Sequence, residues 1–190
     1  IIELDSAGTV VTDSTTTTTM TSTGNFSIDA ADAASINISN NTLTNGQGDG
    51  FVIIVSSSSS SSATTQATAV VNINDNNIDA QGGNSIDLGV YSYLSAVDYD
   101  VSINSNTITN GSDTGILCFA LLDSCTDGDI TFDINNNSIS GCQKGVALNA
   151  WASSATGEIS YLMRDNTITS NDGTGITLVG WATSANLVLD

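Results

Sequence analysis

Residues 101–110 read VSINSNTITN, and the recurrence of this decapeptide decides the fold. Val101 and Ile103 stand two apart, and Ile108 sits between Thr107 and Thr109. Alternation of this kind is the two-residue period of a strand that buries one face. Asn106 interrupts the alternation with a residue type suited to a tight turn. The frame returns as INISNNTLTN (36–45), VNINDNNIDA (71–80) and FDINNNSISG (132–141), and once more around the asparagine at 166. It places one shared asparagine at Asn41, Asn76, Asn106, Asn137 and Asn166.

Two further landmarks keep the interval. Ile86, Ile116, Val146 and Ile176 lie thirty residues apart, and so do Tyr91, Leu121, Trp151 and Trp181. Ahead of the shared Asn run alternating apolar sets, Ala69/Val71/Ile73, Tyr99/Val101/Ile103, Ile130/Phe132/Ile134 and Ile159/Tyr161/Met163. Behind it comes one aliphatic, Leu43, Ile78, Ile108, Ile139 or Ile168. A third strand carries Ile86/Leu88/Val90 and its equivalents. Three short strands per repeat, each with one apolar face, close a core only by stacking turn on turn. The expectation is an all-β solenoid of five to six coils of about thirty residues, with three parallel sheets.

The pattern I-x-N-N-x-I-x-x-N…G-I-x-L, over roughly residues 25 to 190, resembles the coil consensus of pectate-lyase-like parallel β-helix proteins. The resemblance implies a right-handed β-helix in which the shared Asn forms a hydrogen-bonded ladder at a tight turn. Asn tolerates the left-handed conformation that such a turn needs, and its amide can bond both backbone and the Asn of the next coil. That superfamily holds lyases, hydrolases, adhesins and structural proteins, so the fold leaves function open.

The 190 residues form one solenoid domain, with residues 1–35 as a less regular first coil or coils and 36–190 as the repeats. Thr15–Thr19 and Ser56–Ser62 are homopolymer runs, read as outward loops, and the second accounts for the longer interval of 35 between Asn41 and Asn76. Twenty acidic residues against Lys144 and Arg164, with no His, give a net charge of −18. That charge excludes a phosphate-tracking nucleic-acid surface and electrostatic attachment to anionic lipid. The regular placement of a 39% hydrophobic content argues against disorder. No apolar run reaches the roughly 18 residues of a membrane span. The amide- and hydroxyl-rich, proline-free composition suggests an extracellular or cell-surface setting, as a mature or excised segment of a longer secreted chain. Sequons at Asn25, Asn37, Asn40, Asn110 and Asn136 permit glycosylation there.

With the inward residues set, the alternate positions define three outer faces. The first sheet stacks Asp98, Asp129 and Glu158 at one position, a like-charge ladder that Ca²⁺ or simple splaying into solvent would relieve. The second shows a T-x-T ladder, Thr42/Thr44, Thr107/Thr109 and Thr167/Thr169, similar to the ice-binding face of β-helical antifreeze proteins but broken by Asn77/Asp79. The third is apolar where solvent should favour polar residues. Its outward Tyr91, Leu117, Phe119, Leu121, Trp151, Val179 and Trp181 mark an interaction surface, either for another subunit or for sugar rings.

Catalysis finds little support. Without His there is no Ser-His-Asp or Cys-His chemistry and no polygalacturonase-like set. Lys144 and Arg164 are the sole candidate bases for a lyase, and they lie on different sides of the coil. Arg164 reads instead as a salt-bridge partner. Asp98 with Asp129 or Glu158 is a carboxylate pair that repetition alone generates. Cys118 pairing with Cys125 or Cys142 in a disulfide, or three buried thiols, both fit an oxidising compartment. Ile1-Ile2 and Leu187-Val188-Leu189 read as strands cut mid-coil without caps. The resulting expectation is a non-enzymatic structural or adhesive solenoid that polymerises through open ends and the apolar lateral face. Its rivals are a polysaccharide lyase or hydrolase and a carbohydrate- or ice-binding module.

Overall fold

Each repeat of the frame folds into three strands joined by sharp corners, and like strands of successive repeats lie side by side. This computed structural model describes residues 3–4, 10–13, 25–27, 35–58, 67–94 and 96–190. Ile1, Ile2, the Thr15–Thr19 run and Ser59–Ser62 lie outside the described residues. The first sheet orders Val10–Asp13, Ser35–Ser39, Ala67–Asn74, Val97–Asn104, Ile130–Asn135, Glu158–Arg164 and Asn186–Leu189. The second consists of Thr42–Thr44, Asn77–Asp79, Thr107–Thr109, Ser138–Ser140 and Thr167–Thr169. The third runs through Asn25–Ser27, Phe51–Ser58, Ile86–Tyr93, Thr114–Asp123, Lys144–Ser153 and Ile176–Ala182. All these neighbours are parallel, the geometry of a β-solenoid.

Two details depart from the expectation. The stack makes about four turns rather than five to six, because the described residues before Ser35 supply only short strands. Glu3–Leu4 also joins the first sheet antiparallel to Val10–Asp13.

Register follows the inward residues. Val71, Val101, Phe132 and Tyr161 face one another in successive coils, as do Ile78, Ile108, Ile139 and Ile168. A one-residue slip would turn every one of them outward, so burial enforces the pairing. The inward strand positions are mostly aliphatic, and each buried aliphatic contributes roughly 1.5–3 kcal/mol. Phe132 stacks on Tyr161 at 4.8 Å between ring centroids. The Tyr161 hydroxyl crosses to donate to the Asn149 carbonyl oxygen at 2.7 Å, tying first sheet to third.

The asparagine ladder forms as expected. Asn41, Asn76, Asn106 and Asn137 each donate backbone N–H and Nδ2 to the Oδ1 of the next ladder Asn, at 2.9–3.0 Å. Nδ2 of Asn76, Asn106, Asn137 and Asn166 also donates to a carbonyl of the coil behind, Ile38, Ile73, Ile103 or Ile134. The backbone conformation differs from the expectation. Positive φ falls one residue before each ladder Asn, at Asn40, Asp75, Ser105, Asn136 and Asp165, with values of 52–58°. That preceding residue turns the chain, and the turn aims the ladder side chain into the stack. Asn76, Asn106 and Asn137 are accordingly almost wholly buried.

Candidate functional site

The third sheet's outer face divides into three columns that run along the solenoid. The first column is Val52, Asp87, Leu117, Ala147 and Thr177. The middle column is Ile54, Gly89, Phe119, Asn149 and Val179. The last column is Ser56, Tyr91, Leu121, Trp151 and Trp181. The seven residues expected at an interface therefore share one face. Trp151 is 50% exposed although coils stack on both sides of it, the kind of apolar exposure that marks an interaction surface, whereas Val179 and Trp181 share their exposure with the inward Ile176 and Leu178 of the same strand.

Neighbouring rings on this face contact each other. Trp151 and Trp181 lie 4.7 Å apart between centroids at 44°, and Tyr91 and Phe119 lie 5.4 Å apart at 33°. Gly89 makes room for Tyr91, since a Cβ there would come within 2.6 Å of the tyrosine ring. Asp87 is the one charge in these columns. Its burial among them raises its pKa above the ordinary value, against the opposing hydrogen bond from Asn84 Nδ2 at 3.1 Å, while the like charge of Asp49 adds to the rise.

The acid ladder has a different character. Asp98 Oδ1 accepts the Asp129 backbone N–H at 3.0 Å, and Asp129 Oδ1 accepts that of Glu158 at 2.7 Å. Glu158 in turn accepts the Ser160 hydroxyl at 2.5 Å. The carboxylates thus serve as hydrogen-bond acceptors between coils. Among the described residues no three acidic or thiol side chains converge on a point that could hold a metal ion.

On the second sheet the T-x-T rows are in register, and Asp79 interrupts them by accepting Thr109 Oγ1 at 2.7 Å and Asn110 Nδ2 at 2.8 Å. Those two donors lower its pKa. Arg164 bonds Asp133 at 3.0 Å, as a salt-bridge partner should. Lys144 opens the third-sheet strand Lys144–Ser153, whereas Arg164 ends the first-sheet strand Glu158–Arg164.

Of the two arrangements open to the cysteines, the structure holds the buried thiols. Cys118, Cys125 and Cys142 are three buried free thiols. Cys118 points into the core from mid-strand, whereas Cys125 lies past the strand's end, with Sγ on the Ser92 carbonyl oxygen at 3.1 Å. Cys142 occupies the corner after the second sheet, with its backbone N–H on Asn171 Oδ1 at 3.0 Å. Each sulfur fills its own gap, the alternative open to small buried residues.

A second amide ladder was missed in the sequence. Asn74 Oδ1 accepts the Asn104 backbone N–H, and Asn104 Oδ1 accepts that of Asn135, both at 3.0 Å. The Ile-Asn pair that precedes the corner residues Asp75, Ser105 and Asn136 carries its signal.

These features define the chain as a parallel β-solenoid repeat protein. No protein-family model, curated protein or solved structure matches it.

Proposed function

We propose that this protein is an extracellular structural or adhesive β-solenoid whose copies associate laterally through the third-sheet face, as the building unit of a filament, sheath or layer. One observation carries the reading. A chain with a net charge of −18 keeps the middle and last columns of one face free of charge and fills them with Tyr91, Phe119, Leu121, Trp151, Val179 and Trp181. Like-charged chains approach most readily where charge is least, and apolar surface supplies the attraction there. The paired rings favour packing over sugar stacking, because Trp151 and Trp181 tilt into each other instead of presenting one flat platform.

Sedimentation velocity over a range of concentrations, followed by negative-stain imaging, tests the reading. Reversible association is expected, weakened at least tenfold in W151S/W181S. A chain that stays monomeric at high concentration would overturn it.

A further inference from the structure

Resting on this lateral-association reading, we infer that the third-sheet face takes a second copy of the same chain as a two-fold pair whose solenoid axes run side by side and parallel. The argument lies in how bulk is distributed across the face. In one coil the first column holds Ala147 and the last holds Trp151, and in the following coil Thr177 is matched with Trp181. Asp87 is likewise matched with Tyr91. The earliest coil reverses the order, with Val52 first and Ser56 last, and only Leu117 and Leu121 are equal. Large and small thus occupy opposite ends of the face in four of five coils.

A two-fold axis parallel to the solenoid, above the middle column, reverses strand direction and keeps coil order. Each copy's last column then lies over the other's first column, coil by coil. Trp151 lies over Ala147 of the second copy, a small residue already buried in its own chain, and Trp181 lies over the part-exposed Thr177. Tyr91 brings its hydroxyl over Asp87, giving the one charge on the face an O–H donor. The alternative two-fold, along the strands, sets tryptophans and their neighbours against the same bulky column. It also leaves the small residues facing across a gap, so steric fit rejects it.

Charge and area agree. The first sheet's outer face carries Asp98, Asp100, Asp133 and Glu158, which would meet their own kind in any pairing there. Five third-sheet strands about 4.8 Å apart, each presenting about seven residues, bury roughly 1,100 Å² in total, close to the lower bound of a specific interface. A reversible, closed pair follows, with the isologous character of a two-fold contact, and this pair is the unit that any larger filament, sheath or layer would repeat through a different surface.

Middle-column residues lie on the proposed axis and face themselves across the interface. Asn149→Cys and Val179→Cys, made separately in the full chain, are expected to crosslink to covalent dimers with a short bismaleimide. S153C, well off the axis, is expected not to. The unmodified chain, with its three buried thiols, is the control, and circular dichroism verifies folding of each variant. Sedimentation as a monomer with no crosslinking at any position would overturn both this inference and the lateral-association reading. Dimeric sedimentation in which either N149C or V179C fails to crosslink would overturn the parallel two-fold alone.

Discussion

Asn106 accepts two hydrogen bonds from Asn76 on a single oxygen: the Asn76 backbone N–H at 3.0 Å and its Nδ2 at 2.9 Å both reach Asn106 Oδ1. Asn106 Nδ2 simultaneously donates to the Ile73 carbonyl at 2.8 Å and to Asn137 Oδ1 at 3.0 Å. Every hydrogen-bonding site of this buried amide is used. N106A therefore strands donors and acceptors in the coils on both sides of it and is expected to cost about 3 kcal/mol or more. N166A, at a more exposed rung, is expected to cost about 1 kcal/mol. Urea unfolding followed by circular dichroism compares the two, and equal losses would show that the ladder stabilises no more inside the stack than at its last rung.

Corner strain is open to the opposite test. Leu94, Ser124 and Ser154 take equivalent left-handed corners with φ of 51–56°, and Leu94 is the bulkiest of them. Its side chain is exposed, so it returns little packing for the strain. Glycine adopts this conformation without a Cβ penalty, although it loses more entropy on folding. L94G is expected to stabilise the fold by about 0.5–1 kcal/mol, a rise of about 1–4 °C in thermal midpoint. A lower midpoint would mean that Leu94 packs against something its exposure conceals.

Two aspartates give pH dependences of opposite sign. Burial raises the Asp87 pKa above the ordinary 3.8, so the folded chain holds that proton more tightly than the unfolded chain. Its contribution is most favourable below the ordinary value and is lost as pH rises through the folded value. Hydrogen bonds from Thr109 and Asn110 lower the Asp79 pKa, so its contribution is present above the ordinary 3.8 and is lost as pH falls through the folded value. At neutral pH, D87N is expected to raise the thermal midpoint and D79N to lower it. Both differences should shrink toward about pH 3. Melting curves across that range decide the matter, and a D87N midpoint below that of the parent at neutral pH would refute the burial account.

The thiols supply a fourth expectation. Burial raises the pKa of Cys118 and Cys142, and all three sulfurs are enclosed. A disulfide-exchange reagent should titrate none of them in the native state and all three in denaturant, because the thiolate is the reacting form and must be reachable. Fewer than three in denaturant, without added reductant, would reveal a bridge.

The repeat was legible because it rests on alternation and interval, both of which survive in one dimension. Val101, Ile103 and Ile108 announce which side of a strand is buried, and the thirty-residue spacing of Tyr91, Leu121, Trp151 and Trp181 aligns the outer column in advance. Features that depend on how a corner turns were less legible. The left-handed residue was placed one position late, since Ser105 and Asn106 are both turn-compatible and only the backbone path tells them apart. Asp87 was passed over because a lone acid in a strand reads as solvated, and its burial depends on residues thirty and thirty-five positions away, Leu117 and Val52. The cysteines were ambiguous for a similar reason. Their spacing does not specify which corner or which side of the core each sulfur reaches.

The last expectation concerns the position just before the first inward apolar residue of each third-sheet strand (Phe51, Ile86, Ile116, Val146 and Ile176), occupied by Gly50, Ser85, Gly115, Gly145 and Gly175. A Cβ on Gly115 would lie 2.5 Å from Ile139 Cγ2 and 2.8 Å from the Gly145 carbonyl oxygen, one of them backbone that cannot yield cheaply. G115A is therefore expected to destabilise by about 2 kcal/mol or more, as overpacking does. Ser85 is the exception in the column. It is tolerated beside Gly111, where a Cβ would come to 3.0 Å from its hydroxyl oxygen. That hydroxyl is fully buried and has no hydrogen-bond partner. An unsatisfied buried hydroxyl carries a desolvation cost, so S85A, which keeps the Cβ and removes the oxygen, is expected to stabilise by about 1 kcal/mol. Opposite shifts of the two urea midpoints would support this account. A loss of stability in S85A would mean that the Ser85 oxygen finds a partner, such as an enclosed water, that compensates its burial.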